Sequence, residues 1–252
     1  MDELGVVDVP GSGPASGSPP RKTVLGRRVL EAVAKVSPSD AVLIFVRHSE
    51  KERIGPDPAR LLTARGHIAA HRFGESLPVG RPLRVFHSPA ERCHQTAEDI
   101  LEGYLHATPG ANARIERSDG RIASWETVAV HRDARKRLRD SLGGQRALVR
   151  AWLDGRVPPE VMRPAREITE GLFAWAAGRS REAPPGTLHL FVSHDFSMMG
   201  LGKFVLGMGD DMPWPSYLDG PVFTLGQEGK LDGVWNSRWV PLGLPPSDGA
   251  TP

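Results

Sequence analysis

A chain of 252 residues is long enough for one large α/β domain or at most two small ones. Its 39% hydrophobic and 25% charged residues are ordinary for a globular protein, and a net charge of +2 argues against the strongly basic surface that bulk nucleic-acid binding needs. No apolar run approaches membrane-spanning length, and the acidic start MDELGVVDVP lacks the basic segment of a secretory signal. Because Cys93 is the only cysteine, no intrachain disulfide can form, and a cytoplasmic protein without nucleic-acid or membrane partners is expected.

The N-terminal third of the chain begins with a segment that is poor in apolar side chains. Residues 1–22, which include the stretch PGSGPASGSPPR, are predicted to form a disordered arm, because they cannot bury enough apolar surface to order themselves. Between 23 and 36 apolar residues recur at helical spacing, which predicts a helix. The apolar run at 42–46 predicts a strand that is covered on both faces, as parallel strands are.

The remainder of the chain alternates between strand and helix patterns. Further strands are predicted at 83–88, 187–193, 221–225 and 234–240. Further helices are predicted at 61–77, with Thr63 as N-cap, at 89–105 and at 196–208. The alternation predicts an α/β fold: a doubly wound, mostly parallel sheet with helices on both faces and an antiparallel edge. This domain is expected to span 23–245, with a helical insertion at about 111–186 acting as a lid and a flexible tail at 246–252.

Three of the predicted strands lead directly into charged or titratable side chains. These are Arg47 and His48 after the first strand, Ser88 and Arg92 after the second, and His194 and Asp195 after the third. Ligands of open α/β sheets bind outside the carboxyl ends of the strands, so the six side chains are expected to meet at one edge. Guanidinium groups fit phosphate oxygens, a neutral imidazole can attack phosphorus, and a carboxylic acid can protonate a departing alcohol oxygen. The set predicts phosphoryl transfer that needs no metal and no cofactor.

Four stretches within residues 41–206 match, in order, the motifs of one known family. VLIFVRHSE is similar to a strand followed by Arg-His-Gly, with Ser49 in place of the glycine. LTARGHIAAHRFGESL resembles a Leu-Thr-x-x-Gly-x-x-Ala-x-x-x-Gly helix, HSPAERCHQTAEDI a Ser-Pro-x-x-Arg-x-x-Gln-Thr-Ala element, and LFVSHDFSMMG a second strand ending in histidine. Together they resemble the histidine phosphatase superfamily, which includes phosphoglycerate mutases, acid phosphatases and phytases. The insertion lies outside these motifs.

The resemblance implies a role for each matching side chain. His48 would be the nucleophile that becomes phosphohistidine. The phosphoryl oxygens would be bound by Arg47, Arg92 and His194, with Lys51 and Ser49 as further candidates. Lys51 stands where acid-phosphatase relatives carry another arginine, and Ser49 offers a hydroxyl that could donate to the phosphate.

Three carboxyl groups are candidates for the proton donor. One branch of the superfamily uses the aspartate of a His-Asp pair, which Asp195 reproduces. The other branch uses a glutamate a few residues before a Trp-Glu-Gly element. In SDGRIASWET, Asp119 falls where that glutamate would stand, and Glu126 follows Trp125 without the glycine. The order of preference is Asp195, Asp119 and Glu126.

The predicted function is the hydrolysis of a small phosphate monoester through His48. One alternative is a phosphoglycerate-mutase-like phosphotransferase, although relatives of that kind carry RHGxSxWN where this chain has RHSEKERI. Another is a non-catalytic phosphoprotein-binding module on the same fold, with Ser49 as a first sign of lost activity. The histidines outside the motifs are interpreted as structural or surface residues: His67, His71, His87, His94, His106, His131 and His189.

Overall fold

The computed structural model describes residues 25–54, 59–116, 121–122, 124–226, 230–236 and 238–242. The predicted arm at 1–22 and the tail at 246–252 lie outside these residues, as does Asp119. The described part of the chain forms eight α-helices and one seven-stranded sheet. None of these helices combines the length and the apolar character that crossing a lipid bilayer requires.

The strands are β1 (Ala41–Arg47), β2 (Leu83–His87), β3 (Ala113–Ile115), β4 (Leu188–Ser193), β5 (Val222–Leu225), β6 (Leu231–Trp235) and β7 (Arg238–Leu242). The helices are α1 (Arg27–Val33), α2 (Ala64–Glu75), α3 (Glu91–Ala107), α4 (Trp125–Val128), α5 (Arg132–Ser141), α6 (Gln145–Leu153), α7 (Ala165–Arg181) and α8 (Asp195–Gly200).

The strand order across the sheet is β3-β2-β4-β1-β5-β6-β7. The first four strands in this order run parallel, and the other three extend the sheet in antiparallel fashion. The predicted α/β fold with a parallel centre and an antiparallel edge is therefore confirmed. The parallel half is the part that positions the site, because all of its carboxyl ends lie at the same edge.

Local differences from the sequence prediction have simple causes. The piece predicted at 234–240 is two strands, β6 and β7, joined by a turn in which Asn236 adopts a left-handed φ of 58°. Asparagine adopts this conformation more readily than most residues. In the sequence, however, a single asparagine is a weaker signal for a turn than the surrounding apolar residues are for a continuous strand. The helix predicted at 196–208 is α-helical only as far as Gly200 and continues as a π-helical segment, Leu201–Val205. Strand β3 was not predicted, because its three residues are too few to show an alternation of apolar and polar side chains.

Strand β1 shows why both faces of the sheet are covered. Val42, Ile44 and Val46 are buried against α1, α2 and α3, whereas Leu43 and Phe45 are buried against the helices of the insertion. Side chains alternate between the faces of a strand, so a continuous apolar run serves two cores at once. The predicted placement of helices on both faces is confirmed, and the insertion supplies most of the second layer.

Helices α2 and α3 approach each other to backbone contact. A Cβ atom on Gly74 would lie 2.1 Å from the carbonyl oxygen of Ile100, and one on Gly103 would lie 2.0 Å from that of His71. Only glycine permits so close a crossing. Thr63 caps α2 as predicted, its hydroxyl accepting from the Gly66 amide at 2.9 Å. The two helices are thereby locked to one another, each beginning near the carboxyl edge of the sheet.

The helix crossing can be tested with matched glycine substitutions. Gly74→Ala is expected to lower the free energy of unfolding by about 1–3 kcal/mol, because the new methyl group meets backbone that cannot move aside alone. Gly171→Ala in α7, where a Cβ would meet nothing within 4 Å, is expected to raise it by about 0.5–1 kcal/mol. Urea denaturation measures both values, and equal effects of the two substitutions would contradict the crossing.

Candidate active site

The two strand-end histidines lie side by side. Strands β1 and β4 are parallel neighbours in which Arg47 is paired with Ser193, so that His48 and His194 follow at the same level. Their rings are 5.7 Å apart between centroids, and the two residues are only 3% and 2% exposed. The structure thus brings these two predicted site residues together in a buried position at the carboxyl edge of the sheet.

The second strand-end element completes the surroundings of His194. The hydroxyl of Ser88 lies 2.8 Å from Nε2 of His194, and a guanidinium nitrogen of Arg92 lies 3.3 Å from Nδ1. Because a guanidinium can only donate, Nδ1 must accept, and the proton of the neutral ring is therefore on Nε2 and donated to Ser88. Both ring nitrogens of His194 are therefore contacted by side chains, Ser88 and Arg92, that are four residues apart in the sequence.

His48 is held as a neutral imidazole, and its second ring nitrogen has no hydrogen-bond partner among the described residues. Its Nδ1 lies 2.7 Å from the carbonyl oxygen of Ser49 and must donate to it, which leaves Nε2 unprotonated. Burial lowers the pKa of His48 well below its usual value, and the neighbouring His194, Arg92 and Arg47 lower it further. A ring in this state is a nucleophile at neutral pH.

Cations surround the pair of rings. The pKa of His194 is also well below its usual value, first because the ring is buried and then because of Arg92, Lys51 and Arg47. Lys51, the further candidate cation, is half-buried and forms an isolated β-bridge with Leu62. Because its charge lowers the pKa of His194, Lys51 lies close enough to act electrostatically on the site. Positive charge from Arg47, Arg92 and Lys51 is therefore concentrated around the two neutral rings, and we call these surroundings of His48 and His194 the recess.

Arg47 is oriented by three groups. One terminal nitrogen donates to the carbonyl oxygen of Pro215 at 2.9 Å, the other lies 3.7 Å from a carboxylate oxygen of Asp195, and the guanidinium lies 4.5 Å from the ring centroid of Tyr217. Its Nε is buried and has no hydrogen-bond partner among the described residues. Arg47 is thus held in one orientation, with one N–H that none of the described residues accepts.

The three candidate proton donors stand differently in the structure. Asp195 begins α8 and lies against Arg47, inside the cationic surroundings of His48. Glu126 lies half-buried in the first turn of α4, next to Trp125. The Trp125 ring is 4.2 Å from that of Phe196, which in turn stacks on His194 at 5.5 Å. Asp119 lies outside the described residues.

Ser49 faces helix α2 instead of the recess. Its hydroxyl donates to the carbonyl oxygen of Gly66 at 2.8 Å, and its amide donates to the hydroxyl of Thr96 at 3.0 Å. Serine needs no left-handed backbone here, since among the described residues only Leu218 and Asn236 combine a side chain with positive φ. The single hydroxyl proton is donated within the fold, so binding of phosphate by Ser49, which stays a prediction, would require the hydroxyl to leave the Gly66 carbonyl. Its side chain attaches the residue after His48 to α2.

Sequence reasoning missed Tyr217. Its ring lies 5.8 Å from that of His48 and under the guanidinium of Arg47. The next residue, Leu218, has a φ of 56°, and its amide donates to the carbonyl oxygen of Arg47 at 3.0 Å. The strained turn holds Tyr217 against the end of β1. No local pattern in the proline-rich segment at 213–221 signals this contact, which depends on the pairing of β1 with β5.

Comparison with known proteins identifies the family. The family described as the histidine phosphatase superfamily (branch 1) matches residues 43–220, well over half of the chain. The chain therefore belongs to the histidine phosphatase superfamily. None of the curated proteins matches the chain.

Solved structures of similar fold span almost the whole domain. A mycobacterial glucosyl-3-phosphoglycerate phosphatase aligns with a TM-score of 0.52 at 16% identity, covering 80% of this chain and 97% of its own. A candidate alpha-ribazole-5′-P phosphatase from Escherichia coli K-12 aligns with a TM-score of 0.50 at 14% identity, covering 84% and 99%. At such identities the likeness shows the fold alone, which agrees with the family match.

The role of Ser49 can be tested by removing its hydroxyl. Ser49→Ala is expected to lower the free energy of unfolding by about 1–2 kcal/mol, because the buried Gly66 carbonyl loses the donor that joins α2 to the end of β1. The affinity for inorganic phosphate is expected to stay unchanged. Urea denaturation and calorimetric titration with phosphate measure the two quantities. Weaker phosphate binding at undiminished stability would show that the hydroxyl serves the ligand and not the fold.

Proposed function

We propose that this protein is a phosphatase that hydrolyses a phosphate monoester through a phosphohistidine at His48. The observation that carries the proposal is the buried, neutral His48 ring, whose free Nε2 shares a cationic recess with His194. A neutral nucleophile surrounded by positive charge is suited to an anionic electrophile. Membership of the histidine phosphatase superfamily supports the same chemistry.

Substrate binding would use the cations that surround the rings. Arg47 offers its unpartnered Nε–H, and Arg92 and Lys51 add charge next to His194. Charge-assisted bonds to phosphate are about twice as strong as neutral ones, and they are strengthened where water is excluded. A bound dianion favours the charged form of a neighbouring imidazole. His194 could therefore gain a proton on binding and donate to a phosphoryl oxygen.

The reaction then proceeds as two displacements. Nε2 of His48 attacks phosphorus, the ester P–O bond breaks, and Asp195 gives its proton to the departing alcohol oxygen. The carbonyl oxygen of Ser49, which accepts from Nδ1–H, stabilises the positive charge that develops on the ring. Water next attacks the phosphohistidine and gives a proton to the Asp195 carboxylate, which releases phosphate and restores His48. Since this chemistry is mostly positioning and electrostatics, the rigid cations provide most of the rate.

The substrate is proposed to be a small phosphorylated molecule. His48 and His194 are almost completely buried, so only a slender phosphoryl group that protrudes from its carrier can reach Nε2. A phosphoryl group lying flat on a folded protein surface does not meet this condition. Cys93, the only cysteine of the chain, is buried as a thiol, which is consistent with the proposed cytoplasmic location.

Loss of the nucleophile tests the proposal directly. His48→Ala is expected to lower kcat for p-nitrophenyl phosphate by at least about 1000-fold, since the covalent path is removed. His94→Ala, at a partly exposed histidine of α3 whose ring contacts His87, serves as the control and is expected to keep the rate. The phosphoenzyme formed from labelled substrate and trapped in alkali is expected in the native protein and absent in His48→Ala.

Three results would contradict the proposal, the first from the experiment above and the other two from assays with a phosphate acceptor and with phosphopeptides. An undiminished rate from folded His48→Ala protein would exclude the nucleophile. Transfer of the label to a second phosphate acceptor, and not to water, would make the protein a phosphotransferase. Binding of phosphopeptides without turnover of any phosphate ester would make it a non-catalytic module.

The proton donor can be identified by varying the leaving group. Asp195→Asn is expected to lower kcat for an alkyl phosphate by about 100-fold or more, because an alkoxide needs protonation, and to affect p-nitrophenyl phosphate much less. Asp119→Asn and Glu126→Gln are the matched controls and are expected to leave the ratio of the two rates unchanged. A leaving-group dependence that appears in either control instead would assign the proton to that carboxyl group.

A further inference from the structure

Two histidines and a glutamate form a cluster on helices α2 and α3, away from the catalytic recess. His71 and Glu75 lie one turn apart on α2, and His106 lies beside them on α3; their ligand atoms are all within 4.8 Å of one another. Nδ1 of His106 is 2.9 Å from one oxygen of Glu75, and Nδ1 of His71 is 3.8 Å from the other. The two imidazole rings are 5.9 Å apart. The carboxylate thus faces both rings.

We propose that this cluster is a binding site for a first-row transition-metal ion, with Zn²⁺ as the preferred occupant. Two imidazole nitrogens and one carboxylate oxygen are a common protein ligand set for zinc, with water in the fourth position. The spacing of four residues places His71 and Glu75 on the same face of α2. Each of the three side chains is only partly exposed or lies at the surface, so an ion can reach them from solvent.

The backbone crossing holds the ligands in place. Gly103 lies three residues before His106, and a Cβ on it would meet the His71 carbonyl oxygen at 2.0 Å and the Glu75 amide nitrogen at 3.1 Å. The same close contact that fixes α2 against α3 therefore sets His106 directly beside the other two residues. Ligands on rigid helices are held more precisely than ligands on loops. Small rotamer changes then suffice to close the site around an ion.

An ordinary surface ion pair does not account for this arrangement. Earlier on the same two helices, one turn before His71 and about two turns before His106, His67 pairs with Asp99 at 2.8 Å, one imidazole with one carboxylate. In the cluster two imidazoles face the two oxygens of a single carboxylate, so three potential ligand atoms converge where an ion pair needs only two.

The proposed site is independent of the phosphate chemistry. His106 follows Arg92 by fourteen residues on α3, which corresponds to about 21 Å along the helix axis. An ion there would join α2 to α3 and stabilise the folded protein by mass action, because the unfolded chain does not hold the three ligands together. Its role is structural, and it leaves the proposed mechanism at His48 unchanged.

Zinc titration of the untagged protein tests the proposal. Isothermal calorimetry with ZnCl₂ is expected to show one ion bound per chain, and thermal unfolding is expected to shift to higher temperature when zinc is present. His71→Ala, Glu75→Gln and His106→Ala are each expected to weaken zinc binding by at least about tenfold and to abolish the thermal shift. His67→Ala is the matched control: it removes an interhelical pair of the same kind and is expected to keep both signals.

Several results would overturn the proposal. The first would be that the native protein binds no zinc, or that zinc does not raise the temperature at which the native protein unfolds. If the double variant carrying His71→Ala and His106→Ala bound zinc as tightly as the native protein, the ion would bind elsewhere. The same conclusion would follow if His67→Ala weakened zinc binding as much as the ligand variants do. Circular dichroism and urea denaturation in EDTA check that each variant folds. Since neither readout uses phosphatase activity, failure here is distinguishable from failure of the proposed function.

Discussion

The site depends on the parallel pairing of β1 with β4. The amide of His48 donates to the carbonyl oxygen of Ser193 at 2.9 Å, so the ladder continues one residue past β1 and places both histidines at the same level. A shift of one residue in this register would turn one ring into the apolar core. The covering of both sheet faces by helices stabilises the register, since each strand residue from 42 to 46 is buried. The nucleophile is thus positioned by the same hydrogen bonds that build the sheet.

Burial of the His48 and His194 rings makes the folded protein less stable in acid, and the rest of the fold must offset this loss of stability. His48 and His194 stay neutral inside a cationic recess, and His189, the second residue of β4, has its pKa lowered to about 3 by burial and by Arg84. The unfolded chain binds protons at these histidines more readily than the folded chain does. Their contribution to stability is therefore complete above about pH 6.5 and is lost as the pH falls below it. The same desolvation that weakens the protein in acid keeps His48 nucleophilic at neutral pH.

Much of the fold and of the site could be predicted from local patterns. The strand β1, the Thr63 cap and the strand-end positions of His48, Arg92 and His194 depend on near neighbours in the chain, and they appear where they were expected. The direction of the Ser49 hydroxyl and the place of Tyr217 could not be predicted in this way. The first is decided by the Gly66 carbonyl on α2 and the second by a strained turn far along the chain.

The amino-acid sequence by itself determined the alternation of strands and helices outside the insertion and the chemistry at the strand ends, because periodicity and strand termination are local properties. Tertiary structure decided which side chains share a space. His71 and Glu75 are separated from His106 by a loop, a strand and most of a helix, and they meet only because Gly74 and Gly103 let two backbones touch. Contacts of this kind depend on how helices cross, and that angle is set by packing and not by any pattern within one helix.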